Sequence, residues 1–343
     1  MTRNSFLIDK RINIKSRMKQ SLIALMNGVI DYAGLFPPAK LDLDTAIRNY
    51  AKYQQGDNAQ MLSQFIIPAS RLEELSPYAG ELFSPERPFS FSVLGRETET
   101  TDHYHAAIDE VITACESFNA AHPNSVHTDM LEMKLPKEAA FSHDSELLKQ
   151  IMDDTARKLS ASAAAPATIF YEGFLDQSWK KDVEAILKAV ALHNENAPSQ
   201  NYATAAFKIR CGGVEAGQFP ETGQVGFIIN RAREHNVPWK GTAGLHHPVR
   251  HYSESVQTKM HGFFNVLGGA MLGYAHDLND KELNEILNEE DSGQFKFTDE
   301  VFSWQDYSIS TAKIKELREV AILSYGSCSF DDPREDLEKL GLM

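Results

Sequence analysis

From residue 28 onward the chain repeats one unit: a short apolar run, then a stretch with helical spacing of apolar residues. The apolar runs are "GVIDYAGLF" (28–36), "SQFIIPAS" (63–70), "FSFSVLG" (89–95), "DMLEMKLP" (129–136), "ATIFYEGFL" (167–175), "TAAFKIRCGG" (204–213) and "VPWKGTAGL" (237–245). Each is short enough for a strand, and each is followed by helical periodicity with start and stop signals. The first helix reads as starting at Asp44 and stopping at Gly56. The third opens at Thr101 or Asp102 and closes at Pro123. "TKMHGFFNVLGGAMLGYAHDL" is the helix expected after the seventh strand.

Strands alternating with helices imply parallel strands joined by right-handed crossovers. Seven or eight such units favour a closed (β/α)8 barrel of the TIM type over a doubly wound sheet. No GxGxxG follows the first strand, which removes the main support for a dinucleotide fold. The chain is therefore expected to be α/β, a single (β/α)8 barrel domain over residues 1–343. "SRMKQSLIALMNG" is expected as an N-terminal helix capping the barrel bottom. Residues 278–319 are expected as an insertion before the last strand, helical around "FKFTDEVFSWQDYSIS", with a helix begun by Ser310. "AILSYGSCSF" (321–330) is either the eighth strand, with "PREDLEKLGL" as its helix, or the end of the preceding helix and a loop.

Composition narrows the function classes. With 34 Lys and Arg against 48 Asp and Glu, the net charge is −14. An acidic chain without a basic run is poorly suited to nucleic acid or an anionic membrane, and neither is expected as a partner. Three scattered cysteines, with no CxxC pair, argue against structural zinc and for a reducing compartment. The first residues lack the apolar core of a signal peptide, and no apolar run reaches membrane-spanning length. A cytoplasmic protein is expected, with a small anionic metabolite as partner and a homo-oligomer allowed for.

Active sites of such barrels lie at the C-terminal ends of the strands. Side chains there alternate between the interior and the helix layer. In strand four, Leu131, Met133 and Leu135 share one face, leaving Glu132 and Lys134 inside. Strand five offers Glu172, strand six Lys208 and Arg210, and strand seven Lys240 and Thr242. Unpaired, each buried charge costs several kcal/mol. The set is therefore either an ionic plug or a site for substrate.

Further candidates are single residues. Asp31 ends strand one, and Arg71 and Arg96 follow strands two and three, each placed to bind substrate or to sit in a turn or surface ion pair. His246 and His247, with Arg250, His251 and Lys259 nearby, would favour an anionic group or acid–base work. Cys328 is either a nucleophile or a small packed side chain. No cofactor is expected. The alternative is a divalent metal held by His246, His247, Glu132 and Glu172, although HEXXH is absent.

"AAFKIRCGG" and "VPWKGTAGL" each place a lysine near a strand end, followed by small residues and glycine. This resembles class I aldolases of the deoxyribose-phosphate aldolase type. The resemblance implies that Lys208 forms a Schiff base with a carbonyl substrate and that Lys240 lowers its pKa. Glu172 or Glu132 would then move protons. Here strand seven continues as "TAGLHHP" in place of the family's glycine-rich phosphate turn, and Arg210 replaces a small polar residue. The leading expectation is an aldolase- or lyase-type enzyme acting on a small anionic carbonyl compound. The alternatives are a metal-dependent hydrolase or isomerase and a non-enzymatic ligand-binding protein.

Overall fold

A computed structural model describes residues 18–164, 166–175 and 178–343. Most of the N-terminal stretch read for a signal peptide lies outside them. Eight parallel strands close into a barrel: β1 Ile30–Tyr32, β2 Leu62–Pro68, β3 Phe89–Leu94, β4 Val126–Lys134, β5 Thr168–Glu172, β6 Thr204–Arg210, β7 Trp239–Thr242 and β8 Ile322–Ser327. Their order around the ring is β1–β8–β7–β6–β5–β4–β3–β2. This is the expected (β/α)8 TIM-type barrel, and 322–327 is its eighth strand rather than a helix end.

The alternation places apolar and charged residues as strand geometry requires. Leu131, Met133, Phe207, Ile209 and Trp239 are buried toward the helices. Register then aligns the inward faces: Glu172 lies beside Lys208, Lys208 beside Lys240, and Arg210 beside Thr242.

Helix starts differ from the reading by a residue or two, because the cap is the residue just outside the helix. Asp42, not Asp44, caps Leu43–Tyr53, accepting from the Thr45 backbone N–H at 2.8 Å. Thr100, not Thr101 or Asp102, caps Thr101–Ala121. Ser310 caps Thr311–Val320 as expected.

The insertion carries the helix Asp280–Leu287, but "FKFTDEVFSWQDYSIS" is not helical. It forms a three-stranded antiparallel sheet of Phe295–Phe297, Val301–Trp304 and Tyr307–Ser310. The reason is period two: Phe295 and Phe297 are buried while Lys296 is exposed. Phe302 packs so close to Gly268 that a Cβ there would lie 2.7 Å from its ring. The helix expected from residue 258 also starts later. Thr258–Met260 pairs with His251–Ser253 as a hairpin, and a π-helical turn, Phe264–Gly268, then leads into the α-helix Gly269–His276.

The N-terminal helix is Gln20–Met26, which buries Leu22, Leu25 and Met26. It precedes β1 and sits at the base of the barrel, where Ser21 Oγ donates to the Thr298 carbonyl at 2.7 Å. Beside it, half-buried Arg318 donates from Nη2 to the carbonyls of Asn27 and Gly28 and from Nη1 to those of Ile322 and Leu323. Burial pulls its pKa down to about 10. The cavity described below lies at the opposite end of the strands. Among the described residues no helix is long and apolar enough to cross a membrane.

Candidate functional site

The inward charges of the strands form one alternating ladder. Asp31 on β1 meets Lys240 on β7 at 2.5 Å, and Lys240 meets Glu132 on β4 at 2.7 Å. Glu132 meets Lys208 on β6 at 2.9 Å, Lys208 meets Glu172 on β5 at 2.6 Å, and Glu172 meets the Nε of Arg210 at 3.1 Å. Three carboxylates and three cations thus cancel within the barrel. Hydroxyls satisfy the remaining acceptors: Ser92 donates to Glu132 at 2.7 Å and Ser324 to Asp31 at 2.6 Å, while the Gln64 backbone N–H donates to Asp31 at 3.2 Å. Lys240 Nζ also lies 5.1 Å from the centre of the Phe170 ring.

Exposure grades along the ladder. The Asp31 and Lys240 side chains are 0% exposed and Glu132 2%, whereas Arg210 is 40% exposed at the rim. The inner half is therefore an ionic plug. The outer half, from Glu132 through Lys208 and Glu172 to Arg210, lines a cavity of about 480 Å³ at the C-terminal ends of the strands. Lys134, Thr242, His246 and Cys328 share its wall.

Electrostatics departs from the expected roles. Burial by itself would pull the Lys208 ammonium down, but Glu172 and Glu132 outweigh it and hold its pKa above the ordinary value. Lys240 follows the same pattern through Asp31 and Glu132. Burial would raise Glu132, but Lys240 and Lys208 hold it well below the carboxylate range. Glu172 is likewise lowered, with Lys208 and Arg210 overcoming burial. Lys208 is therefore held charged rather than depressed, because its two carboxylate partners outweigh burial.

Several sequence candidates lie elsewhere. Arg71 is tied to Glu74 at 2.8 Å on the 3-10 helix Ala69–Tyr78, and Arg96 to Glu110 at 2.9 Å, so neither reaches the cavity. His247 turns away from His246 to meet Asp336 at 2.5 Å and packs edge-on against His251. Asp31 lies beneath the cavity and serves Lys240, not a substrate. Lys259 pairs with Glu290. Arg250 is half-buried, beside His261. The four residues named as metal ligands do not converge: Glu132 and Glu172 hold lysines and His247 is turned outward. Among the described residues no three His, Cys, Asp or Glu side chains are grouped as a metal ion needs.

Other site residues escaped the sequence reading. Glu97 lines the cavity and anchors Lys134 at 2.7 Å, from a loop with no distinguishing pattern. Ser92 was legible in principle, because "FSFSVL" alternates phenylalanine and serine. Beyond β7 the backbone carries two successive left-handed residues, Ala243 at φ 59° and Gly244 at φ 71°. A Cβ on Gly244 would lie 3.0 Å from the Cys211 carbonyl and 3.1 Å from Gly212 Cα, so glycine lets the loops after β6 and β7 touch.

No family model matches this chain, and no curated protein matches it.

Proposed function

We propose that the cavity binds a small carbonyl compound bearing a carboxylate or phosphate, and that Lys208 attacks the carbonyl in an aldolase- or lyase-type reaction. The observation that carries this reading is the contact of the Lys208 ammonium with Glu172 on the cavity wall, at 2.6 Å. A lysine there needs a proton acceptor within reach before it becomes a nucleophile, and Glu172 is one.

Arg210 links substrate to acceptor. Its half-exposed guanidinium holds Glu172 through Nε. A substrate anion competing for Arg210 loosens that hold and makes Glu172 a better base. The proton passes from Lys208 to Glu172, and the amine adds to the carbonyl carbon. The proton held by Glu172 returns to the departing hydroxyl, and loss of water leaves an iminium. As the carbon–carbon bond breaks, its electron pair becomes the C=C bond of an enamine and the iminium π pair returns to nitrogen, while the hydroxyl of the released fragment gives its proton to a base and becomes a carbonyl. Protonation of the enamine carbon restores an iminium. Hydrolysis returns the free lysine. Lys240 and Asp31 keep Glu132 in place beneath this exchange and do not touch substrate.

The test is borohydride reduction with pyruvate, acetaldehyde or dihydroxyacetone phosphate as probe, followed by peptide mass spectrometry. An adduct on Lys208 that is absent in Lys208→Met supports the reading. A probe that binds the folded protein without leaving an adduct removes it. The closed ion pairs favour one rival, a purely ligand-binding cavity. Under that rival Lys208→Met binds the probe as well as wild type does.

A further inference from the structure

The titratable groups on the cavity wall divide into two kinds. Glu97, Glu132, Lys134, Glu172, Lys208 and Arg210 are each committed to an ion pair. His246 and Cys328 are not. His246 is 8% exposed and Cys328 7%, on adjoining loops after β7 and β8.

Hydrogen-bond bookkeeping fixes the His246 ring. Ser327 Oγ has one proton, donated to the Ser329 carbonyl at 2.7 Å. It can therefore only accept from His246 Nδ1, 3.3 Å away. That places the imidazole proton on Nδ1 and leaves Nε2 with a bare lone pair. Cys328 Sγ makes only a long contact with that lone pair. It lies 3.8 Å from Nδ1 and 3.9 Å from Nε2. A sulfur almost equidistant from both nitrogens sits well off either nitrogen's bonding direction. Among the described residues no other hydrogen bond is made to Nε2.

We infer that His246 is the proton-transferring base of this cavity, taking a proton through Nε2 from the carbon next to a carbonyl held at Lys208. This rests on the Schiff-base reading. With the iminium formed, Nε2 takes the α-proton. The C–H electron pair becomes the C=C bond of an enamine, and the iminium π pair returns to nitrogen. Reprotonation by the imidazolium reverses the step. Ser327 is a positioning residue, acting through the ring.

The competing bases are weaker. Glu132 and Glu172 are lowered from their ordinary values by the cations they hold, so each is a weak base for as long as those ion pairs stay closed. Lys240 is held charged, and the Lys208 nitrogen is engaged in the iminium, so neither offers a lone pair at this step. Burial keeps the Cys328 thiol protonated. Burial also pushes His246 below its ordinary value, aided by His247 and His251 and opposed by Asp332, so the ring is neutral at pH 7.

Two measurements on the full chain decide the matter. The first needs no substrate: nitrogen NMR of 15N-histidine protein at pH 7, with the His246 signal assigned by its loss in His246→Asn. The expected result is a protonated Nδ1 and a bare Nε2, with the preference lost in Ser327→Ala. A proton on Nε2 overturns the assignment whatever the ligand. The second uses pyruvate in D2O, following deuterium entry into the methyl group. His246→Asn is expected to slow entry by about 100-fold or more while the borohydride adduct on Lys208 persists. Undiminished exchange in His246→Asn, or no exchange in a wild-type protein that forms the adduct, overturns the inference. Absence of any Lys208 adduct instead sinks the Schiff-base reading and with it this α-proton step. The NMR result then decides only whether His246 offers a bare Nε2.

Discussion

Lys240→Met tests whether the inner ladder is held by charge balance. Lys240 is fully buried between Asp31 and Glu132, with Phe170 beneath its ammonium. Methionine fills similar volume, so cavity formation contributes little. What changes is charge: three carboxylates then face two cations. Breaking a buried pair in this way costs about 3–5 kcal/mol. At about 2 °C per kcal/mol for a domain of this size, the melting temperature should fall by roughly 6–10 °C at pH 8. The pH dependence gives the stronger check. In wild type, Glu132 has a depressed pKa, so its contribution is present above the unfolded value of about 4.3 and fades as pH falls through the folded value. Lys208 and Lys240 are raised, so theirs is complete below about 10.4 and fades only as pH rises through the folded values. Between pH 5 and 10 the wild-type ladder is therefore flat. In Lys240→Met, Glu132 loses one of its two ammonium partners and burial gains weight, so its pKa climbs. The deficit should then shrink as the pH is lowered from 8 to 5.5. Asp31→Asn with Lys240→Met restores balance at two carboxylates and two cations, and should recover most of the loss. Differential scanning calorimetry at both pH values reads all three proteins. A single variant as stable as wild type at pH 8, or a double variant worse than the single, would refute the charge-balance account.

Arg318→Met should lower stability by about 1–2 kcal/mol, because four carbonyls at the barrel base, most of them partly buried, lose their donor. An unchanged melting temperature would show that water replaces it without penalty. Ala243→Gly should raise stability by about 1 kcal/mol, since glycine tolerates the left-handed φ of 59° that alanine does not. A loss measured by urea titration would contradict the strain. His247→Ala should change stability by less than about 1 kcal/mol and leave probe binding intact, because its ion pair with Asp336 is outside the cavity wall. Impaired binding of pyruvate would return His247 to the site.

Much of the site was legible because strand geometry is strictly periodic. Once β4 to β7 were read as strands, Glu132, Glu172, Lys208, Arg210 and Lys240 had to share an interior, since their neighbours Met133, Phe207, Ile209 and Trp239 had to meet the helices. The same periodicity overrides the helical expectation for residues 295–304: Phe295–Phe297 and Val301–Trp304 each alternate at period two and pair as antiparallel strands. Helix starts slipped because a cap is chosen by which oxygen reaches a free N–H. Asp42 and Asp44 are indistinguishable on that point in a string of letters.

The sequence by itself determined the architecture and which charges enter the barrel, because both follow from local periodicity. Pairing was decided by closure. Asp31 and Lys240 are 209 positions apart in the chain, and only the ring order β1–β8–β7 brings them together. Closure also set the charge of Lys208, since two carboxylates from β4 and β5 outweigh the burial that would pull its pKa down. The separation of His246 from His247 is of the same kind. Adjacent in sequence, one ring is held against Ser327 at the cavity and the other against Asp336 outside it. Local periodicity is carried by covalent neighbours. The acidity and direction of a buried side chain are set by whatever the completed fold packs against it.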